Sequence, residues 1–177
     1  MNRAITISRE YGSGGREIGE KLAQRLGIPF YDKELIAMIA EEGNIETSVL
    51  EANDEVDPDL DNYSPRQVPP DYQIAMTQRI YAAQATVIRN LNDKGPCVIV
   101  GRCADYVLRE NKNCLHVYVY ANHFTRMDRI IKQYGVDPAK AADTLVKQDK
   151  QRANYYNFYS NQKWGNPENY DLLVDSS

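Results

Sequence analysis

The chain has 177 residues, enough for one domain with a sizeable core. Its net charge of -4 speaks against bulk nucleic-acid binding, its three cysteines show no metal-ligand spacing, and no run approaches the ~18 apolar residues of a membrane helix. With no apolar leader at the N-terminus and an odd cysteine count, it reads as a cytoplasmic protein with reduced thiols.

Ala4 to Ser8 is a β-branched run and predicts a buried strand. After Arg9-Glu10-Tyr11 comes a glycine-rich turn, Gly12-Ser13-Gly14-Gly15-Arg16. A helix is predicted from Glu17 to Leu26, with Ile18, Leu22, Ala23 and Leu26 on one face, closed by Gly27 and Pro29. Pro29 to Asp32 predicts a short strand, and Lys33 to Glu42 a helix whose apolar side is Leu35, Ile36, Ile39 and Ala40. Composition then shifts. From Glu41 to Asn62 there are nine acids and no Lys or Arg, followed by Pro65, Pro69 and Pro70. This predicts a solvated, mobile segment outside the core that closes over a ligand. A long helix is predicted from Asp71 to Asp93, with Ile74, Ile80, Tyr81, Ala85, Ile88 and Leu91 inward, stopped by Gly95-Pro96.

Cys97 to Val100 is continuously apolar, as a strand buried on both faces should be. Gly101-Arg102 follows, then a short helix from Ala104 to Glu110 and a strand from Leu115 to Tyr120, in which His116 is structural. Asn122 caps a helix to Tyr134 that Gly135 closes, and Asp137-Pro138 opens another reaching about Tyr159. Ser160 to Asn169 is a polar loop, and Tyr170 to Val174 a last strand. The five strands alternate with helices and show no hairpin signal. The expected class is therefore α/β, with a five-stranded parallel sheet covered on both faces.

Ligands of such folds bind beyond the carboxyl ends of the strands. Three of those ends carry polar or glycine-rich clusters: Ser8 to Arg16, Asp32-Lys33 and Gly101-Arg102. Gly12, Gly14 and Gly15 allow positive φ and close backbone approach just where a helix N-terminus offers unpaired N–H groups, which makes an anion site suited to phosphate. A plain strand-to-helix turn is the alternative, and the convergence of three clusters favours the phosphate loop. The match to the Walker A pattern G-x-x-x-x-G-K-[ST] is imperfect. With Gly14 as its second glycine, the Lys position is Gly15 and the hydroxyl position Arg16. Arg16 is expected to supply the missing charge.

Arg102, directly after a buried strand and a glycine, either aims its fork into the crevice or pairs with a carboxylate such as Asp105. Arg126 and Arg129 share a helix face, and Lys147, Asp149, Lys150 and Arg152 crowd the next helix. Two basic clusters flanking Gly135 suggest a lid over phosphates. Tyr155, Tyr156 and Tyr159 are expected to pack rather than stack on a base.

On the stretches "ITISREYGSGGREIGEKLAQRLGIPFYDKELI", "CVIVGRCADYVL", "VYVYANHFTRMDRI", "DKQRANYYNFY" and "YDLLVDSS", the chain resembles the cytidylate kinase-like family, a branch of the P-loop nucleoside monophosphate kinases. True cytidylate kinases resemble it more loosely. Their Asp-bearing strand end falls at Asp32, their G-R-D turn at Gly101-Arg102 with Cys103 in place of the Asp, and the acid before that turn at Val100. Their arginines after the fourth strand fall at Arg126 and Arg129, and their lid-to-core D-x-x-R at Asp149 and Arg152. In those kinases a further loop and helix follow the last strand.

The resemblance implies a single P-loop kinase three-layer sandwich over 1–177, with a helical substrate-binding insertion at about 33–95 and a lid at about 122–160. The expected activity is transfer of the ATP γ-phosphoryl to a nucleoside monophosphate, CMP or another, with Mg²⁺ accompanying the donor. The alternative is a nucleotide-binding sensor or interaction module without catalysis, which the Gly15 departure favours. Gly12, Ser13, Gly14, Gly15, Arg16 and Glu17 are expected to hold the donor phosphates, and Lys33, Arg102 and Asp105 the acceptor. Arg126, Arg129, Lys150 and Arg152 are expected to neutralise the transferring group. Asp32, with Asp149 as the second candidate, is expected to position the acceptor or a Mg²⁺-bound water. No residue is expected to ligate a metal directly, no nucleic acid or membrane partner is expected, and the oligomeric state is left open.

Overall fold

The computed structural model describes residues 4–53 and 70–177. β1 (Ala4–Arg9) leads into α1 (Gly15–Leu26), β2 (Phe30–Tyr31), α2 (Glu34–Gly43), α3 (Thr47–Asn53) and α4 (Pro70–Lys94). Then come β3 (Val98–Val100), α5 (Ala104–Val107), β4 (Cys114–Tyr120), α6 (His123–Lys132), α7 (Ala141–Ser160) and β5 (Leu172–Asp175). All pairings are parallel, and the five strands lie in the order β2-β3-β1-β4-β5. This is the α/β sandwich that the alternation of elements predicts.

Side chains alternate across a strand, so each strand feeds both faces. On one face Ile5, Ile7, Val98, Val100, Val117 and Val119 pack with Ala23, Ile18 and Leu22 of α1. On the other, Ala4, Cys97 and Ile99 meet Leu35, Ile39, Ile88, Leu91 and, from α5, Ala104 and Val107. Each fully buried aliphatic side chain here, such as Ile88 or Ile99, contributes about 1.5–3 kcal/mol.

The adjacent strands β1 and β3 thus send their following helices to opposite faces. Their carboxyl ends diverge, and a crevice opens between the glycine-rich turn after β1 and the Gly101 turn after β3. Beside it, α6 and α7 pack through Ile130, Ala141 and Leu145, with Tyr11 of the turn against them. The caps expected on this side are present. Asn122 accepts from the Thr125 N–H at 2.9 Å, and Asp137 from the Ala139 N–H at 2.9 Å.

The acid-rich segment departs from expectation. Its first part is not outside the core: Ile45, just before α3, and Leu50 within it are buried with residues of α2 and α4, an apolar pair that the acid count hides. The remainder, 54–69, lies outside the described residues, as does the side chain of Ile74. α5 stops at Val107 rather than Glu110, and a 3-10 turn, Pro138–Lys140, precedes α7. Tyr155, Tyr156 and Tyr159 pack with Tyr81, Tyr106, Cys103 and Trp164, the Tyr81 and Tyr159 rings stacking at 4.1 Å. His116 is tied into the sheet, its Nδ1 2.8 Å from Thr6 Oγ1.

Candidate functional site

The turn after β1 leaves its backbone open to close approach. Gly12 and Gly14 take φ of 76° and 75°, the left-handed region that glycine enters without strain. A Cβ on Gly12 would lie 2.8 Å from Ile130 Cγ2 and 3.0 Å from the Arg126 carbonyl. Gly14 caps α1 without a side-chain hydrogen bond, and the N–H groups of Gly15, Arg16 and Glu17 in its first turn have no helical acceptor. Donors of this kind at a helix N-terminus favour a negative ligand.

The carbonyls of the turn point the other way, into arginines. Arg126 Nε donates to the Tyr11 carbonyl at 2.8 Å, and Arg129 Nη1 to that of Gly12 at 2.6 Å. Arg152 Nη1 donates to the Arg9 carbonyl at 3.2 Å. Asp149 accepts from the Tyr11 N–H at 2.7 Å and from Arg126 Nη2, while Arg126 Nη1 lies 3.2 Å from Glu10 Oε2. Burial pushes the Glu10 carboxyl up, offset by the Ala121 N–H and Arg126. Basic residues of α6 and α7 therefore hold the loop by its backbone.

Across the crevice, Gly101, Arg102 and Cys103 all take left-handed φ, of 74°, 54° and 53°. For the two non-glycine residues this costs on the order of 1–3 kcal/mol each. Gln84 Nε2 secures the turn by donating to the Arg102 carbonyl at 2.6 Å, and Tyr155 OH donates to Gln84 Oε1 at 3.0 Å. The strained turn aims the Arg102 side chain, only 3 % exposed, at Asp32, with Nη1 3.5 Å from Oδ1. Among the described residues, the carboxylate that Arg102 faces is thus Asp32 rather than Asp105. Asp32 also accepts from Arg16 Nε at 2.7 Å, which holds the Arg16 guanidinium more firmly protonated. Arg16 Nη1 lies 3.6 Å from Glu20 as well.

Between these walls is a cavity of about 690 Å³. Of the residues expected from sequence, it brings together Gly12, Gly14, Gly15, Arg16, Glu17, Asp32, Lys33, Arg102 and Arg152. The Glu17 carboxylate accepts from Tyr134 OH at 2.8 Å, which with burial raises the Tyr134 hydroxyl pKa. Ser13, Asp105, Arg126, Arg129, Asp149 and Lys150 are not part of the lining. Ser13 is buried beneath the loop. Asp105 is buried, accepting from Tyr156 OH at 2.8 Å and Ser8 Oγ at 3.3 Å, and burial raises its carboxyl pKa. Lys150 is exposed on α7.

The lining also includes Arg9, Tyr134, Gln148 and Gln151, which the sequence reading did not single out. Gln148, Gln151 and Arg152 stand at i, i+3 and i+4 on α7, a spacing that marks one helix face and was legible beforehand. Among the described residues, no group of three or more His, Cys, Asp or Glu is placed to hold a metal ion, and no helix is long and apolar enough to cross a membrane.

The model of the cytidylate kinase-like family matches residues 4–177. The chain is similar to an uncharacterized protein from Eubacterium ventriosum, whose crystal structure matches at 30 % identity and a TM-score of 0.71, covering 99 % of this chain and 88 % of that one. A shikimate kinase from Bacteroides thetaiotaomicron shares the fold at 14 % identity and a TM-score of 0.55, covering 99 % and 86 %. A Thermus thermophilus protein does so at 14 % and 0.56, covering 99 % and 89 %. No functionally curated protein sequence matches.

Proposed function

The chain belongs to the cytidylate kinase-like family, and from that premise we propose that it is a nucleotide-binding transferase, moving the γ-phosphoryl of ATP to a nucleoside monophosphate, CMP or another. The observation that carries this reading is one cavity lined by two groups suited to phosphate. On one side stands the Gly12–Glu17 helix N-terminus, and on the other Arg102 with Lys33. Phosphoryl transfer asks a protein chiefly to position two anions and neutralise them. The loop N–H groups suit the donor. Arg102, with a fork that matches a monophosphate, and the exposed Lys33 suit the acceptor. Asp32 holds Arg16 and Arg102 in place between them.

Arg152 lines the cavity and is the cation of the α6–α7 pair best placed to neutralise the transferring group. Arg126 and Arg129 act through the loop carbonyls they hold, adding their charge to the field of the site. Asp149 positions Arg126 and the Tyr11 N–H. The segment from α2 to α4 is the acceptor-side insertion, and α6 with α7 forms the lid.

Mg²⁺ would arrive with the triphosphate, held by phosphate oxygens and water. The loop does not fit direct coordination: Arg16 stands at the hydroxyl position, and both oxygens of Asp32 already face arginines. Binding without transfer is the second reading, favoured by Gly15 at the Lys position. The discriminating experiment incubates the protein with ATP and a panel of ribo- and deoxyribonucleoside monophosphates and separates the nucleotides. Equal amounts of ADP and a nucleoside diphosphate, formed only with acceptor present, support the kinase. ATP binding with no diphosphate from any acceptor supports the module.

A further inference from the structure

Against the G-x-x-x-x-G-K-[ST] pattern the loop departs twice, and the two departures are related. With Gly14 as the second glycine, the Lys position is Gly15 and the first glycine position is Arg9. A Cβ built on Gly15 would lie 2.6 Å from Arg9 Cβ and 3.2 Å from Arg9 Cγ. The Arg9 stem therefore occupies the space into which a side chain at position 15 would grow. The contact is with the root of that stem, which is fixed to the backbone of β1 and cannot swing away. A glycine at 15 is what allows an arginine at 9, and a glycine at 9 would remove the tightest contact of a side chain at 15, leaving Val119 Cβ at 3.2 Å as the neighbour that must give.

The chain has thus exchanged the positions of a glycine and a cation while keeping one cationic side chain rooted at this point of the loop. Arg9 lines the cavity at the end of β1, half-buried, on the strand that feeds the turn.

We propose that Arg9 is the phosphate-binding cation of this loop, contacting the β- and γ-phosphates of the donor in place of the lysine absent at position 15. The proposal rests on the donor-site reading above. A guanidinium offers a planar fork where a lysine offers a point charge, so Arg9 is expected to hold two phosphate oxygens at once.

The test is titration calorimetry of the full chain with ATP and Mg²⁺. The variants are Arg9→Gln, Arg9→Lys, Gly15→Lys and the double variant Arg9→Gly with Gly15→Lys. Arg9→Gln keeps the stem over Gly15 and removes only the charge, so the loop is left supported; circular dichroism melting checks that the fold persists. Loss of a charged hydrogen bond predicts a ten- to hundredfold weaker affinity, roughly, for Arg9→Gln, with Arg9→Lys between it and the wild type. Gly15→Lys alone collides with Arg9 and weakens binding or lowers the melting temperature. The double variant, which restores the ordinary arrangement, recovers affinity to near the wild-type value. Unchanged affinity in Arg9→Gln, or a double variant no better than Gly15→Lys alone, overturns the proposal while leaving the donor site intact. A wild-type protein that takes up no ATP overturns the donor-site reading itself.

Discussion

Asp149 joins α7 to the glycine-rich turn, and its truncation has a size that follows from its contacts. It accepts from the Tyr11 N–H at 2.7 Å and from Arg126 Nη2, with its side chain 22 % exposed and that of Arg126 10 %. Asp149→Ala leaves a part-buried backbone N–H without its charged acceptor, a loss of about 1.5–3 kcal/mol. It also removes a partly screened ion pair contributing up to about 1 kcal/mol. Arg126 keeps Glu10 at 3.2 Å and the Tyr11 carbonyl at 2.8 Å, so its charge is not stranded and the loss stops there. The sum is about 3 kcal/mol. At about 2–4 °C per kcal/mol for a chain of this size, Tm should fall by roughly 6–12 °C. Differential scanning calorimetry reads it directly. In an Arg126→Ala background the same truncation should cost less, because the two side chains share one network. A Tm change below about 2 °C would refute the claim that this contact holds the loop.

Two further outcomes follow from the same geometry. Arg102→Ala should lower kcat/KM for the acceptor roughly thirty- to a hundredfold with little change in ATP affinity, and Arg102→Lys should recover it only in part; equal losses on both ligands would assign Arg102 to the fold or the donor side. Asp105, whose carboxyl burial raises above its ordinary 3.8, contributes stability that is full below that value and is lost as pH rises through the raised one. Asp105→Asn carries no charge at any pH, so its Tm relative to the wild type should climb as pH rises from about 3.8, and a pH-independent difference would count against a raised Asp105.

The sheet was legible because its strands carry their own signal. Cys97 to Val100 is apolar at every position, as a doubly covered strand should be, and the β1 turn announces itself by three glycines within four residues. The helix caps at Asn122 and Asp137 were equally local. Contacts between distant elements were not legible in this way. That Arg126 and Arg129 spend their forks on loop carbonyls depends on how α6 docks, which no spacing within α6 reveals. Asp105 follows a polar turn at a strand end, yet the left-handed residues Arg102 and Cys103 rotate the chain so that it faces inward, toward Ser8 and Tyr156. Ile45 and Leu50 were masked by the acids around them, because net charge averages over a segment whose residues have different fates. Arg9 was hidden for another reason. A pattern search asks what is missing at position 15, and only the packing of Arg9 on Gly15 shows where a replacement is rooted.

That the Gly12–Arg16 turn holds the donor phosphates is tested most directly by following backbone amides in a nitrogen–proton correlation spectrum as ADP is added. The amides of Gly12, Gly14, Gly15 and Arg16 should show the largest shifts and saturate together, since their N–H groups would exchange solvent for phosphate oxygens. Saturable shifts centred on other elements, with these four amides unmoved, would contradict the assignment.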